Sequence, residues 1–340
     1  MSRVYADVNA IRGKSWYEYN KFRIEWSSPD RYEIVRRLGG GKYSEVFEGV
    51  DTVNSERIVI KVLKPVAGHK IKREIKVCAT LAGAPNCIAL LDVVRDPRDM
   101  YHSLVTEFVD NTDWSSLHSR LTDPDIRHYM FQLLSALDFV HSHGIMHRDI
   151  KPANVMIDHQ RRELRVIDWG SRNSTTLASI TIPVSGSRQY KSPELLVGYK
   201  RYDYSLDLWS TGCMFAAMQH FFRGSDNEDQ LLKIMRVLGT EKFDAYLRAY
   251  SITLRERSRG FTGKPHPAIP RALGPASSPR KTSTSPPPTP SPSSTASCAS
   301  TPASGPTAAE AMAGTYFGTV RVEGGRKEGE ALSDSGFASM

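Results

Sequence analysis

Near residue 255 the chain changes character, and that change confines what can fold. From there to residue 306 it is built mainly of Pro, Ser, Thr and Ala, including Ser285-Pro286-Pro287-Pro288-Thr289-Pro290. Such a segment has too little apolar surface to offset the entropy of ordering its backbone, so disorder is its expected state. A packed core must therefore come from the residues before 255, joined by whatever 307–340 adds. With 340 residues, 40% of them hydrophobic, the chain still has material for a sizeable core. It shows no internal repeat.

Several classes are disfavoured at once. No stretch reaches the ~18 consecutive apolar residues that a membrane helix needs, and residues 1–12 lack the apolar run of a secretory signal. The four cysteines, Cys78, Cys87, Cys213 and Cys298, have no metal-ligand spacing and read as reduced thiols. A net charge of +8 suits an anionic partner. No zinc spacing or RNA-binding signature accompanies it, so acidic proteins and nucleotide phosphates fit better than specific nucleic acid.

The folded part has two halves of different grain. Over 32–109, short β-branched runs predict strands at 33–38, 45–50, 57–63, 89–94 and 103–108. One helix interrupts them at about 70–81. From 123 onward helices dominate. Ile126, Tyr129, Met130, Leu133, Leu134, Leu137 and Val140 recur at i, i+3, i+4, i+7 and form one apolar face.

Four groups of residues carry chemistry, and they come in a fixed order. Gly39-Gly40-Gly41-Lys42-Tyr43-Ser44-Glu45-Val46 lies between two predicted strands. Its glycines let backbone amides approach phosphate oxygens, although a plain hairpin turn also fits. Next comes Lys61 on a strand, with Glu74 on the predicted helix. A lysine held by a carboxylate can bind α- and β-phosphates, and two solvated surface charges are the alternative. Third is His147-Arg148-Asp149-Ile150-Lys151-Pro152-Ala153-Asn154. There Asp149 can take a proton from a substrate hydroxyl, Lys151 can offset charge on a transferring phosphoryl group, and Asn154 can hold Mg²⁺. Last, Asp168 in Ile167-Asp168-Trp169-Gly170 stands where a second metal ligand belongs. Ser192-Pro193-Glu194 and the 203–213 segment follow, the latter patterned as a buried helix.

This ordered set resembles that of the eukaryotic protein kinases, and finer features resemble the catalytic (alpha) subunit of casein kinase II. Trp169 replaces the usual Phe of the metal-binding triplet. Gly41 to Glu48, Lys64-Pro65-Val66, Gly144 to Asp149, Tyr202 to Ser210 and Arg3-Val4-Tyr5-Ala6-Asp7-Val8-Asn9 agree as well. The resemblance implies an α+β, bilobal kinase fold. A small N-terminal antiparallel-sheet lobe with one helix (32–109) precedes a larger, mainly helical C-terminal lobe (110–254), incomplete if 255–306 is genuine. Residues 1–31 pack on the core and keep it active, with Trp16, Tyr17, Tyr19 and Trp26 as contacts, and 307–340 is a remnant of the last kinase helix with a tail. It further implies transfer of the γ-phosphate of ATP, and of GTP, with Mg²⁺, to Ser or Thr in acidic contexts. Purine contacts fall on Val46, Val59, Met156 and Ile167 and on the hinge from Glu107 to Val109, positions that core packing also explains. Lys72, Arg73 and Lys76, with Arg188 and Lys191, are the implied acidic-substrate residues, although a basic helix face is also simply solvated. A regulatory beta subunit as partner, and action in nucleus and cytoplasm, complete the implication.

The chain also departs from that pattern. Ser44 replaces a glycine, Thr106 replaces a bulky residue behind the nucleotide, and Ala67-Gly68-His69 interrupts the lysine cluster. Residues 171–187 keep the length of the activation segment but not its residues, and about four residues are missing around 218–224. Gly305 stands where an arginine should pair with Glu194. The expectation is that 255–306, and with it 171–187, reflects a shifted reading frame or mis-assigned splice junction; transcript sequencing that finds these codons in frame in the mature message would contradict it. Two other classes compete with the enzyme: a truncated kinase serving as an interaction module for a regulatory subunit, and a basic nucleic-acid binder.

Overall fold

The computed structural model describes residues 5, 7–41, 44–64, 68–98, 101–169, 188–199, 202–217, 224–238, 247–248, 306–318 and 320. Residues 170–187, 255–305 and 321–340 lie outside these. The expectations for the activation segment, the Pro/Ser/Thr stretch and the tail therefore concern undescribed residues. The chain divides into two compact units, Arg3–Leu117 with Ala136–Ser185, and His118–Ser135 with Gly186–Met340 and Met1–Ser2.

The first unit holds a five-stranded antiparallel sheet in the order β1-β2-β3-β5-β4. Its strands are β1 (Tyr32–Gly40), β2 (Ser44–Asp51), β3 (Arg57–Leu63), β4 (Leu90–Arg95) and β5 (His102–Glu107), within two residues of the β-branched runs that predicted them. Alternation along β3 sorts its side chains. Ile58 and Ile60 are buried with Val94 and Val105, packed by Tyr32 and Val62. Val59 and Lys61 therefore project from the opposite face. Register pairs Lys61 with Val46 and Leu104, and Val59 with Thr106. Directly opposed residues share a face, so Val46, Val59, Lys61 and Thr106 form one surface.

The outer edge of β4 is capped from the N-terminal segment. Ser27 donates its N–H to Val93 O at 2.9 Å and accepts from Arg95 N at 3.2 Å. That segment carries the short helices α1 (Val8–Arg12) and α2 (Lys14–Tyr17). Asn9 Nδ2 bonds Gly144 O at 2.9 Å. Gly144 has φ +73°, and a Cβ there would sit 2.5 Å from Asn9 Oδ1, so both conformation and space call for glycine. Helix α3 (Gly68–Thr80) follows β3, and α4 (Trp114–Leu117) follows β5. Strands β6 (Val155–Asp158) and β7 (Glu163–Val166) form a separate hairpin. The 20-residue α5 (Asp123–Ser142) begins in the second unit's sequence and ends in the first's; Tyr129, Met130, Leu133, Leu134, Leu137 and Val140 are buried, as its periodicity predicts.

The second unit is mainly helical, with α6 (Pro193–Leu196), α7 (Ser205–Ala217), α8 (Asn227–Leu238) and α9 (Ala308–Ala313). Helix α7 is buried on nearly all sides, including Asp207, as the 203–213 pattern predicts. Trp209, Cys213 and Ile234 cluster with Tyr190 and Leu196. A capping box opens α9: Glu310 N donates to Thr307 Oγ1 at 3.1 Å, and Thr307 N to Glu310 Oε2 at 2.7 Å. Just beyond, Tyr316 Oη donates to Asp123 Oδ1 at 3.2 Å, and the Arg127 guanidinium lies 4.1 Å above the Tyr316 ring. The α+β class expected from the sequence is thus observed as an antiparallel sheet with one long helix and a mainly helical remainder.

Candidate active site

Lys61 is the meeting point of three elements of the first unit. From β3 its Nζ donates to Glu74 Oε1 on α3 at 2.7 Å and to Asp168 Oδ1 at 3.1 Å. Burial opposes its charge, but the two carboxylates more than offset this and hold the ammonium above its usual range. Asp168 follows β7 with φ 65°, a left-handed conformation that an L-residue adopts only when its surroundings enforce it.

A second network surrounds Asp149. Lys151 Nζ donates to its Oδ2 at 2.8 Å, and Asn154 Nδ2 donates to the same oxygen at 3.0 Å and to the Asp149 carbonyl at 2.8 Å. The Asp149 N–H donates to His147 Nδ1 at 3.3 Å, which makes that nitrogen the acceptor. His147 Nε2 must then carry the proton and donate to Ile167 O, 3.0 Å away. Ile167 N in turn donates to Asn154 O at 3.0 Å. Residues 147–154 and 167–168 are thereby fastened to each other. Trp169, 2% exposed, packs edge-on against the His147 ring at 4.8 Å. Arg148, with φ 71°, is the second strained backbone position of this cluster.

Val46, Val59, Met156 and Ile167 are each half-buried, while Ile58, Ile60, Val155, Ile157 and Val166 beside them are buried. In the hinge, the Glu107 carboxylate is spoken for. Its Oε1 accepts from Ala89 N at 2.8 Å and from Arg165 Nε at 3.1 Å, and the Glu107 N–H donates to Ala89 O at 3.1 Å. Arg57 lies 3.7 Å over the Phe108 ring and pairs with Glu48 at 2.8 Å, and Arg36 reaches Glu48 from the other side. Of the Gly-rich turn, Gly39, Gly40, Gly41 and Ser44 are described, and Gly41 N donates to Ser44 O at 2.8 Å; Lys42 and Tyr43 lie outside the described residues.

The expected substrate residues have intramolecular partners. Lys72 Nζ donates to Asn20 O at 2.9 Å, and Lys76 Nζ to Ser15 O at 2.6 Å. Arg73 is half-buried on the same helix, and burial lowers its pKa, with Arg148 adding to the effect. In the second unit, Arg188 Nη1 reaches the carbonyls of Gly224 and Ser225, and Lys191 follows the turn that Arg188 opens. Sequence reasoning missed Arg165, which fixes the hinge carboxylate, and the positioning role of His147. Nothing local marks Arg165, since its partner is 58 residues away.

Asn154 spends its amide N–H on Asp149 and keeps a carbonyl oxygen, and Asp168 brings a carboxylate. Hard oxygen donors of this kind suit a divalent cation such as Mg²⁺. Among the described residues no helix is long and apolar enough to cross a membrane. A family model for the protein kinase domain matches residues 32–259, which span the sheet, α3, the Asp149 loop and Asp168.

Proposed function

The chain belongs to the protein kinase family, and from that premise we propose that it is a serine/threonine kinase of the casein kinase II catalytic type. Family membership makes it a phosphotransferase that uses ATP with a divalent metal ion. The catalytic part of that reading is carried by one observation: Lys61, Glu74, Asp149, Lys151, Asn154 and Asp168 all lie in one compact unit, joined in two hydrogen-bonded networks.

Each group then has a defined task. Lys61, fixed by Glu74, binds the α- and β-phosphates of ATP or GTP. Asp149 accepts the proton of a Ser or Thr hydroxyl as the hydroxyl oxygen attacks the γ-phosphorus, and the bond from that phosphorus to the β,γ-bridging oxygen breaks to release the nucleoside diphosphate. Lys151, 2.8 Å from Asp149, offsets the charge on the transferring group. Asp168 and Asn154 would hold Mg²⁺, which supplies neutralisation of the phosphate oxygens. His147 acts as a positioning residue through the Asp149 amide and the Ile167 carbonyl.

The Trp169 triplet and the basic α3 support the casein kinase II type, with acidic protein substrates, a regulatory beta subunit as partner, and work in nucleus and cytoplasm. Neither membrane nor specific nucleic acid enters this reading. The test is steady-state transfer to a peptide with Ser before an acidic run, beside a Tyr counterpart and a Ser peptide with a neutral run. Transfer preferring the acidic Ser peptide is expected; preference for the Tyr or neutral peptide contradicts the type. One observation favours the interaction-module alternative: Glu194 is buried, and among the described residues no basic side chain pairs with it. Binding of a regulatory subunit without measurable transfer would support that alternative.

A further inference from the structure

Two ammonium groups of α3 face peptide carbonyls instead of carboxylates. Lys72 Nζ bonds Asn20 O at 2.9 Å, and Lys76 Nζ bonds Ser15 O at 2.6 Å. Lys76 also lies 5.9 Å and 5.8 Å from the ring centroids of Tyr19 and Phe22. The nearest acid of the covering segment, Glu18, is paired elsewhere, with Lys21 at 2.9 Å. Among the described residues, no carboxylate lies within ion-pairing distance of Lys72 or Lys76. Burial lowers the Lys76 pKa, with only Glu18 opposing.

The cover is thin. Its backbone bonds are local turns, Glu18 N to Lys14 O, Lys21 N to Glu18 O and Phe22 N to Tyr19 O. Ser15 and Asn20, whose carbonyls meet the lysines, are exposed. One tie outside α3 is Trp16 Nε1 to His143 O at 3.2 Å. A carbonyl is a weaker partner for an ammonium than a carboxylate, and solvent-exposed polar contacts contribute little to stability.

We infer that residues 14–22 are an anion-displaced strap: they occupy the basic face of α3, and an acidic polypeptide reaches Lys72 and Lys76 by lifting them. The acidic preference of the enzyme is then a competition between substrate carboxylates and the chain's own carbonyls. This rests on the acidic-substrate reading above. It assigns the segment a selectivity role: short or weakly acidic peptides, unable to lift the strap, do not gain the two lysines.

The test uses the full chain and two synthetic peptides, one with Ser before six Asp residues and one with Asn in their place. Binding is followed by anisotropy and the strap by amide hydrogen exchange over 14–22. Saturating acidic peptide is expected to speed exchange at Glu18, Lys21 and Phe22 about tenfold, while the neutral peptide leaves it unchanged. Trp16→Ala, which loosens the strap and spares both lysines, is expected to tighten acidic-peptide binding several-fold without affecting the neutral peptide. Lys72→Gln with Lys76→Gln should abolish that gain. Acidic-peptide binding with unchanged exchange overturns the strap and leaves the acidic-substrate reading standing. Weaker binding of both peptides to Trp16→Ala also overturns it, because the segment is then only structural support. If neither protein binds the acidic peptide, the reading and the inference fall together.

Discussion

Glu74 and Glu194 are both buried carboxylates, and what faces each one separates their roles. Glu74 meets Lys61 at 2.7 Å and fixes the direction of that ammonium. Glu74→Gln keeps the shape but removes the charge, so the account expects a higher KM for ATP and a lower kcat with little change in unfolding temperature. Paired kinetics and thermal unfolding check this. Glu194 instead lacks such a partner among the described residues: burial pushes its pKa up to about 7 against the ordinary 4.5, hydrogen bonding from its own amide and Ser192 opposes the rise, and Asp203 adds a smaller increment. A carboxyl whose folded value is raised stabilises fully below its unfolded value and loses that contribution as pH climbs to the folded one. Stability should therefore fall by about 3 kcal/mol between pH 4.5 and 7 on account of this group. Glu194→Gln should flatten the decline in denaturant titrations across that window, and an identical slope in both proteins would contradict the assignment. The sequence expectation that Gly305 replaces an arginine partner of Glu194 lies outside the described residues. The elevated pKa follows only from the burial of Glu194 and its nearness to Asp203, which spacing does not reveal.

At the scale of elements, the strands were legible because β-branched runs bounded by turn residues state their own period. Helix α5 was legible for the same reason, through its seven periodic apolar positions. The partners of Lys72, Lys76 and Arg188 were not. A basic side chain reads alike whether it awaits a substrate or bonds a carbonyl 52 or 61 residues away, as Lys72 and Lys76 do. The helices of 8–17 were equally silent, since they are too short to show a period and are held by His143 and Gly144. A helix was expected in 307–317 and α9 is found there, while its anchoring to α5 became visible only in the fold. Phe317 is buried, its ring tilted against that of Phe131 with centroids 5.9 Å apart, so Phe317→Ala should cost about 3 kcal/mol. Tyr316→Phe, which loses one hydrogen bond to Asp123, should cost about 1 kcal/mol. Equal losses in urea titrations would show that the contacts with α5 do not distinguish the two rings.

For the molecule as a whole, the order of motifs along the chain foretold which groups would meet, and the first compact unit brings them together: Lys61 with Glu74 and Asp168, and Asp149 with Lys151 and Asn154. The links between the two networks, His147 to Ile167 and Ile167 to Asn154, involve backbone atoms that no motif spells out. On the proposed reading, Asp149 serves phosphoryl transfer from ATP to a hydroxyl. Labelled γ-phosphate transfer from Mg-ATP to an acidic Ser peptide tests it most directly, with Asp149→Asn beside the unaltered chain at matched folded concentration. Transfer by the unaltered chain and a loss on the order of 10²–10⁴-fold in the variant are expected. Equal transfer by both proteins, or none from a folded chain that binds ATP, would contradict it.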